Sequence, residues 1–472
     1  MSEKATESSC VDHPGVVWLV AGAYFMEFLD ATVITTALPE MARSFGAQTV
    51  EMSTGMSAYM LAMAVFIPLS GWISERFGPR RVFGGAVFVF TLASALCSLS
   101  TGLWLFTGAR ILQGIGGAMM VPVGRVAVLR GTPKEGLIRA IAMLTWPALT
   151  APVLGPPLGG FITEHWGWQW IFWINVPLGV IGFVLALRWI AASQGEVRPF
   201  DWPGFLLSGV GCSALMLACD LASHTPFVLS EVAGLGGLGL VATVWAVRHL
   251  RRTPHPLVDL QALSIPTFAV AMWGGSIFRI AINSAPFLLP LLFQLVFGFS
   301  PSMSGMLLLA LFAGNLCMKP GTTWVMQRWG FRRVLIVNGW LVVLGFVGCA
   351  LLVPGTPKAV IMAVLFFGGL CRSMQFTCLN TLSFCDIAKD RMNGASTLSS
   401  IFFQMGIALG VALGAAALQA STLLNGGAAG LGLFNFQVAF FAMALFSALA
   451  ILDFVRLPPD AGAHVSGAKT GR

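Results

Sequence analysis

Fourteen apolar stretches of about twenty residues, separated by short polar loops, limit what this chain can fold into. They lie near residues 16–38, 52–73, 83–101, 104–129, 138–163, 169–190, 203–221, 232–250, 266–296, 302–323, 334–353, 359–384, 394–419 and 434–455. Each is long enough for one helical membrane crossing, which takes roughly 20 residues. Inside hydrocarbon the backbone must satisfy its own hydrogen bonds, so each stretch is expected to be a helix. Composition agrees: apolar residues make up 57% and charged residues 10% of the 472, against roughly 25% charged in soluble chains. The opening "MSEKATESSCVDHPG" lacks the basic start and small-residue cleavage site of a signal peptide. The first apolar stretch is therefore expected to stay in the mature protein.

A net charge of +8 would suit nucleic acid, but its placement argues for topology. With the N-terminus inside, the loops and tails on that side hold Lys4, Arg76, Arg80, Arg81, Arg130, Lys134, Arg139, Arg188, Arg198, Arg248, Arg251, Arg252, Arg328, Arg332, Arg333, Lys389, Arg391, Arg456, Lys469 and Arg472. The other side holds only Arg43 and Lys358. That asymmetry is the positive-inside bias of a multi-pass membrane protein, and no nucleic-acid partner is expected. The nine cysteines show neither metal spacing nor extracellular clustering, which fits small buried side chains.

Residues 71–83, "GWISERFGPRRVF", align without gaps to residues 323–335, "TWVMQRWGFRRVL", sharing six of thirteen positions. Internal repeats of this kind mark the two halves of a transporter. The offset of 252 residues exceeds half the chain, so material must lie between the halves. The stretches at 203–221 and 232–250, flanked by basic loops, supply it. Six plus two plus six spans reproduces fourteen.

Several of these segments resemble the major facilitator superfamily, specifically its fourteen-span drug:proton antiporters of the EmrB/QacA type and their multidrug-transporter-D-like branch. The first-span "LDATVITTALP", the loop "GWISERFGPRR", the fourth-span "RILQGIGGAMMVPVGR", and "LGPPLGG" followed by "WQWIFWINVPLG" are similar to that group's motifs, in the same order. The sequence departs from the pattern at Thr35 (usually Asn), at Glu75 (usually Asp), and at Ala148 and Ala151 (usually Gly), and Glu27 is additional. The resemblance implies an all-α membrane protein of the major facilitator fold: two six-helix bundles plus two inserted helices, fourteen transmembrane helices in all. It also implies that the first-span acid and the fourth-span arginine, here Asp30 and Arg110, take part in proton coupling.

The motifs also have physical readings. Gly71 and Gly78 permit a tight turn; Arg76, Arg80 and Arg81 can pair with acids or cap the carbonyl ends of neighbouring helices, with Glu75 a further motif position. This loop is either a gate or a topological anchor. In "GPPLGG", Pro156 and Pro157 remove donors while Gly155, Gly159 and Gly160 allow close backbone approach, so a packing hinge rather than a regular helix is expected. Gly406, Gly410 and Gly414 form a second ladder for helix packing. Asn175 reads as structural, satisfying carbonyls freed near Pro177. Pro286 and Pro290 mark either a moving bend or a static kink.

Chemistry centres on charges inside apolar stretches. Glu27 and Asp30 stand three residues apart, on nearly the same helix face, and two such carboxyls cannot easily both ionise in a low dielectric. They are expected to bind a proton, with Asp30 the principal carrier; the alternative is a fixed ion pair with Arg110. Arg125 and Lys319 either face the interior or snorkel to the interface. Arg279 and Arg372 lie deeper, in the second half, where they suit an anionic or carboxylate substrate hydrogen-bonded by Asn283, Asn315, Gln375 and Asn380.

"GLGGLG" at 234–239 copies dinucleotide-site spacing but follows no strand, and no phosphate loop occurs. The six histidines fall in loops, tails or span ends. No cofactor, metal or enzymatic constellation is expected, and a gradient must supply the energy. The expected organisation is a tail at 1–15, bundles at 16–190 and 266–456 around a two-helix linker at 191–265, and a tail at 457–472. The expected function is proton-coupled export of small molecules from the inner membrane, drug-like compounds first and carboxylate metabolites second. The partners are the substrate, protons and the bilayer, with the chain acting as a monomer.

Overall fold

The computed structural model of the chain describes residues 15–47, 52–133, 136–192, 199–223, 229–424 and 432–463. Most of both tails lies outside these residues, as do Lys4, Cys10, His13, Lys134, Arg198, His224, His464, Lys469 and Arg472. There is no strand among the described residues. The helices are α1 (Val16–Val33), α2 (Leu38–Phe45), α3 (Ser53–Phe66), α4 (Leu69–Phe77), α5 (Pro79–Ser98), α6 (Leu103–Gly131), α7 (Leu137–Trp166), α8 (Gln169–Trp173) and α9 (Asn175–Trp189). They continue with α10 (Trp202–Ser223), α11 (Leu229–Leu250), α12 (Pro266–Leu291), α13 (Pro301–Cys317), α14 (Lys319–Ala350), α15 (Lys358–Cys385), α16 (Met392–Leu424) and α17 (Leu433–Phe454).

The fourteen apolar stretches are helical over most of their length, but those near 52–73, 169–190 and 302–323 are each divided between two helices, and the count of fourteen crossings is not reproduced in full. Among the described residues eleven helices are long and apolar enough to cross a membrane, and α3 with α4, bent by 59°, makes a twelfth. The stretch at 138–163 falls on α7, and that at 302–323 on α13, only 17 residues long, and the start of α14. The bend between α3 and α4 sits at Pro68, which cannot donate the backbone bond that would continue the helix. Pro320 occupies the equivalent place, 252 residues on, at the first turn of α14.

The repeat extends to backbone angles and side chains. Gly78 has φ 79° and ψ 149°, and Gly330 has φ 74° and ψ 163°, a region essentially reserved for glycine. Each lets the chain turn sharply from one span into the next. The Arg76 guanidinium lies 5.3 Å from the Trp72 ring, and Arg328 lies 5.7 Å from Trp324. Arg332 donates to the carbonyl of Val455, just beyond the last turn of α17, at 3.0 Å.

Packing follows the same plan twice. In the first half α1 packs on α7, α3 on α6, and α5 on both α6 and α9. In the second α12 packs on α16, α13 on α15, and α14 on both α15 and α17. The inserted α10 and α11 pair with each other, and α10 also rests on α3 and α16. Many side chains on the outer surface are large and apolar, among them Trp104 and Trp245, as lipid contact requires.

The expectation of irregular backbone at "GPPLGG" is not met: α7 runs without a break through residues 155–160. The glycines explain its close packing on α1. A Cβ on Gly155 would collide with Thr32, and one on Gly159 with Val33 and Thr36, whereas Gly160 faces open space. Neighbouring helix segments in such a bundle offset the two missing proline donors. Likewise α12 continues through Pro286 and Pro290 and changes to a π turn only at Leu292–Val296.

Alanine at Gly78 or at Gly330 should each cost roughly 1–3 kcal/mol, seen as a lower unfolding midpoint of detergent-purified protein. Gly160→Ala, where a Cβ meets nothing within 4 Å, should leave the midpoint unchanged. A silent Gly330→Ala beside a costly Gly78→Ala would break the equivalence of the two turns.

Candidate functional site

Three helices of the first bundle bring a set of polar side chains to one buried point. Asp30 comes from α1, Arg110 and Gln113 from α6, and Asn175 from the start of α9. Arg110 Nη1 donates to Asp30 Oδ2 at 2.6 Å and to Gln113 Oε1 at 2.6 Å. Gln113 Nε2 and Asn175 Nδ2 both donate to Asp30 Oδ1 at 2.9 Å. Gln113 also donates to Ser94 Oγ of α5 at 2.8 Å, and the Arg110 guanidinium lies over the Tyr59 ring of α3 at 4.2 Å. Asp30 and Arg110 are each 1% exposed. Charges that deep persist only when paired and hydrogen-bonded, and here both carboxylate oxygens have donors.

Glu27, one helical turn earlier, is equally enclosed but differently served. Its Oε2 is buried with no hydrogen-bond partner. It faces Tyr59 and the backbone of α6 at Gly117, where a Cβ would stand 3.2 Å from the Tyr59 hydroxyl and 3.6 Å from the Glu27 carboxyl carbon. The two acids do share one face, as their spacing implies. Asp30 is the one fixed in an ion pair with Arg110; Glu27 is the one left unpaired. Asn175 does not serve carbonyls near Pro177, because its amide N–H goes to Asp30. Gln113 was missed altogether. Its signal was a lone amide inside an apolar stretch, three residues from Arg110 and so on the same helix face.

The second bundle holds the cations. Arg279 is fully buried on α12 and reaches the Ala271 carbonyl at 3.3 Å and Asn380 Oδ1 at 3.4 Å. Arg372 on α15 reaches Asn283 Oδ1 at 3.5 Å and lies 5.6 Å from the Phe376 ring. Arg279 Nε, Arg372 Nε and Nη1, and Asn283 Nδ2 are buried without partners. Asn315 is buried with both amide atoms unpartnered. Gln375 stands apart from this group. It accepts from Asn338 at 2.7 Å and donates to the Leu335 carbonyl at 3.2 Å, tying α15 to α14.

Between the bundles, polar contacts gather toward the end that carries the basic loops. Ser70 and Thr397 hydroxyls meet at 3.1 Å, and Ser74 donates to Asn393 at 3.4 Å. Gly71 makes this approach possible, since a Cβ there would stand 2.8 Å from Thr397 Oγ1. Ser396 donates to the Pro122 carbonyl at 2.8 Å. Arg125 does not snorkel away: it donates across the seam to Ser399 at 3.3 Å and lies 5.5 Å from the Phe384 ring. Lys319 is buried too, donating at 2.8 Å to Thr145 of the first bundle and to Thr377 of the second. Arg76, Arg80 and Arg81 sit at this end, half-buried, half-buried and exposed.

Removing Arg110 strands a buried carboxylate, so Arg110→Ala should destabilise by about 3–5 kcal/mol. Combining it with Asp30→Asn should recover much of that loss, giving a coupling well beyond additivity in thermal unfolding. Additive effects would mean that the two side chains do not act as a pair.

The family model described as Major Facilitator Superfamily matches residues 20–411. A protein of Escherichia fergusonii named "Putative multidrug resistance protein MdtD" is 36% identical over 467 residues, covering 95% of this chain and 96% of its own. A protein of the same name from Escherichia coli strain 55989 is 36% identical over 458 residues, with the same coverage. Among solved structures, the human organic anion transporter MFSD10 (TETRAN) superposes with a TM-score of 0.66 at 13% identity, covering 93% of this chain and 98% of its own. The proton:xylose symporter XylE does so with a TM-score of 0.65 at 14% identity, covering 95% and 96%. These structures share the fold. With its duplicated helical plan, its buried intramembrane charges and these relatives, the chain belongs to the major facilitator superfamily.

Proposed function

We propose that this protein is a proton-coupled exporter of small molecules, with drug-like compounds as its first substrate class. Its termini and basic loops face the cytoplasm, and it sits in the inner membrane. The similarity to proteins named for multidrug resistance supports the substrate class. The division into bundles at 16–190 and 266–456, joined by a linker at 191–265, gives two bodies that rock about their seam. In the conformation described, hydrogen bonds hold the seam together toward the basic end, so the interior is closed on the cytoplasmic side. The chain works on its substrate by moving it, without covalent chemistry.

One observation carries the proton coupling: two acids on one face of α1, one locked by Arg110 and one without a partner. A neutral Glu27 carboxyl can remain in this apolar setting, while an ionised one has no donor at Oε2 to stabilise it. Glu27 takes up a proton when its surroundings close and releases it when a rearrangement brings water or a donor. Asp30 responds to that exchange through the short stretch of α1 it shares with Glu27, and Arg110 on α6 responds through its ion pair with Asp30. This assigns the exchangeable proton to Glu27 and makes the Asp30–Arg110 pair the element that reads it. The residues from Gly71 in α4 to Arg81 in the first turn of α5 gate the cytoplasmic side.

Glu27→Gln should fold yet lose substrate-evoked proton release from the detergent-solubilised protein. Asp30→Asn should lose transport together with stability, because it loosens the Arg110 network. Normal pH-driven transport in Glu27→Gln would return the role of proton carrier to Asp30.

A second reading, export of an organic anion such as a carboxylate metabolite, is favoured by the unpartnered guanidinium nitrogens of Arg279 and Arg372. Arg125 of the first bundle adds a further cation at the seam. Guanidinium groups left unanswered in this way are relieved by a guest of opposite sign, and a guanidinium can grip a carboxylate with two bonds where lysine cannot. Arg279→Lys and Arg372→Lys should then weaken transport of anions more than transport of lipophilic cations. Equal loss of both, measured side by side, would make these arginines structural.

A further inference from the structure

Helix α4 is used on two sides. Ser70 and Ser74 face the second bundle, where they meet Thr397 and Asn393. Ile73 and Phe77 turn the other way and line a crevice of about 300 Å³ backed by α5 and α6. Its walls are apolar, with Val89 of α5 and Ile115 and Met119 of α6 opposite α4. Gly85 is part of the lining, and a Cβ there would meet nothing within 4 Å. The crevice owes its depth at that point to the missing side chain. Phe77 is 46% exposed beside it, so the opening lies on the outer surface of the bundle.

Arg81 belongs to the same lining and is exposed. It stands in the first turn of α5, at the end of the molecule that carries the basic loops. Such an apolar space offers water too few polar partners to hold it. In a bilayer its neighbours are acyl chains, and the guanidinium above them sits at headgroup depth. A guanidinium matches the geometry of a phosphate with paired N–H donors, and basic side chains at this surface attract anionic lipid.

The geometry points to a binding site for one anionic phospholipid, its phosphate on Arg81 and one acyl chain in the crevice behind α4. A chain lodged there backs Ile73 and Phe77 and so presses Ser70 and Ser74 onto the second bundle. Anionic lipid thereby favours the conformation closed at the basic end. The site itself does not depend on what is transported; its effect on turnover rests on the exporter reading above.

Native mass spectrometry of the detergent-purified full chain tests the site, with phosphatidylglycerol and phosphatidylcholine of matched acyl chains as probes. The wild type should retain phosphatidylglycerol in preference by about 5-fold, the worth of one basic side chain at an anionic surface. Arg81→Gln should level the two lipids, and Gly85→Leu should lower retention of both by filling the crevice. Excess glycerol phosphate, a headgroup without chains, should displace neither. Equal retention of both lipids by the wild type overturns the proposal, as does a preference that survives Arg81→Gln, or displacement by glycerol phosphate. Should Gly85→Leu fail to fold, Arg81→Gln at an exposed position still decides the matter. In proteoliposomes, transport by the wild type should change with phosphatidylglycerol content and that of Arg81→Gln should not. Absence of wild-type transport would count against the exporter reading while leaving lipid retention to stand or fall by itself.

Discussion

The ion pair between Asp30 and Arg110 is the constraint around which the first bundle is organised. A carboxylate and a guanidinium at 1% exposure survive only when paired and further hydrogen-bonded. That further bonding recruits Gln113 from the same helix as Arg110, Asn175 from α9, and Ser94 from α5 through Gln113. Four spans are thereby registered against one another at a single depth. The glycines that let α7 lie on α1, Gly155 and Gly159, begin only one turn beyond Asp30 on the facing helix. A shift of α1 relative to α6 must therefore disturb the charge pair and the α7 contact together. That is the mechanical property needed of a helix that couples protonation to rocking.

The second bundle shares the helical plan but not the charge balance. Its guanidinium groups at Arg279 and Arg372 have only neutral oxygen acceptors, at 3.3 Å or more. The first bundle gives its deepest arginine an acid partner, leaving Arg110 Nε and Glu27 Oε2 without one; the second offers its arginines only neutral acceptors. The function proposed above rests on this division, with protons assigned to one side and the cargo's polar groups to the other. Lys319 links the two, because its ammonium reaches one threonine in each bundle. Breaking the seam at that point strips the ammonium of half its partners, so opening requires a replacement for Thr145.

Much of this was legible in the sequence, for identifiable reasons. Spans could be read because lipid forces an uninterrupted run of apolar residues. The repeat could be read because a glycine with positive φ, and the tryptophan–arginine pair beside it, tolerate few replacements. Pro156 and Pro157 misled, since local rules predict a break where the helix in fact continues through both. Asn175 and Gln113 were underrated for a related reason. A single amide in an apolar stretch does not reveal its partner, and the partner here lies more than eighty residues away in sequence. Which of two neighbouring acids is free was likewise beyond reach, because the answer depends on where α6 places Arg110.

The position of α10 has a consequence for the barrier function of the membrane. It leans on α3 from one bundle and α16 from the other, so it overlies the seam between them. A transporter that opens by rocking exposes that seam to the bilayer at every cycle, and a gap there would admit lipid or leak ions. A span resting on both sides acts as a gasket. It gains its hold from its own partner α11. The two extra helices thus give the moving joint a wall of protein where simpler arrangements have only lipid.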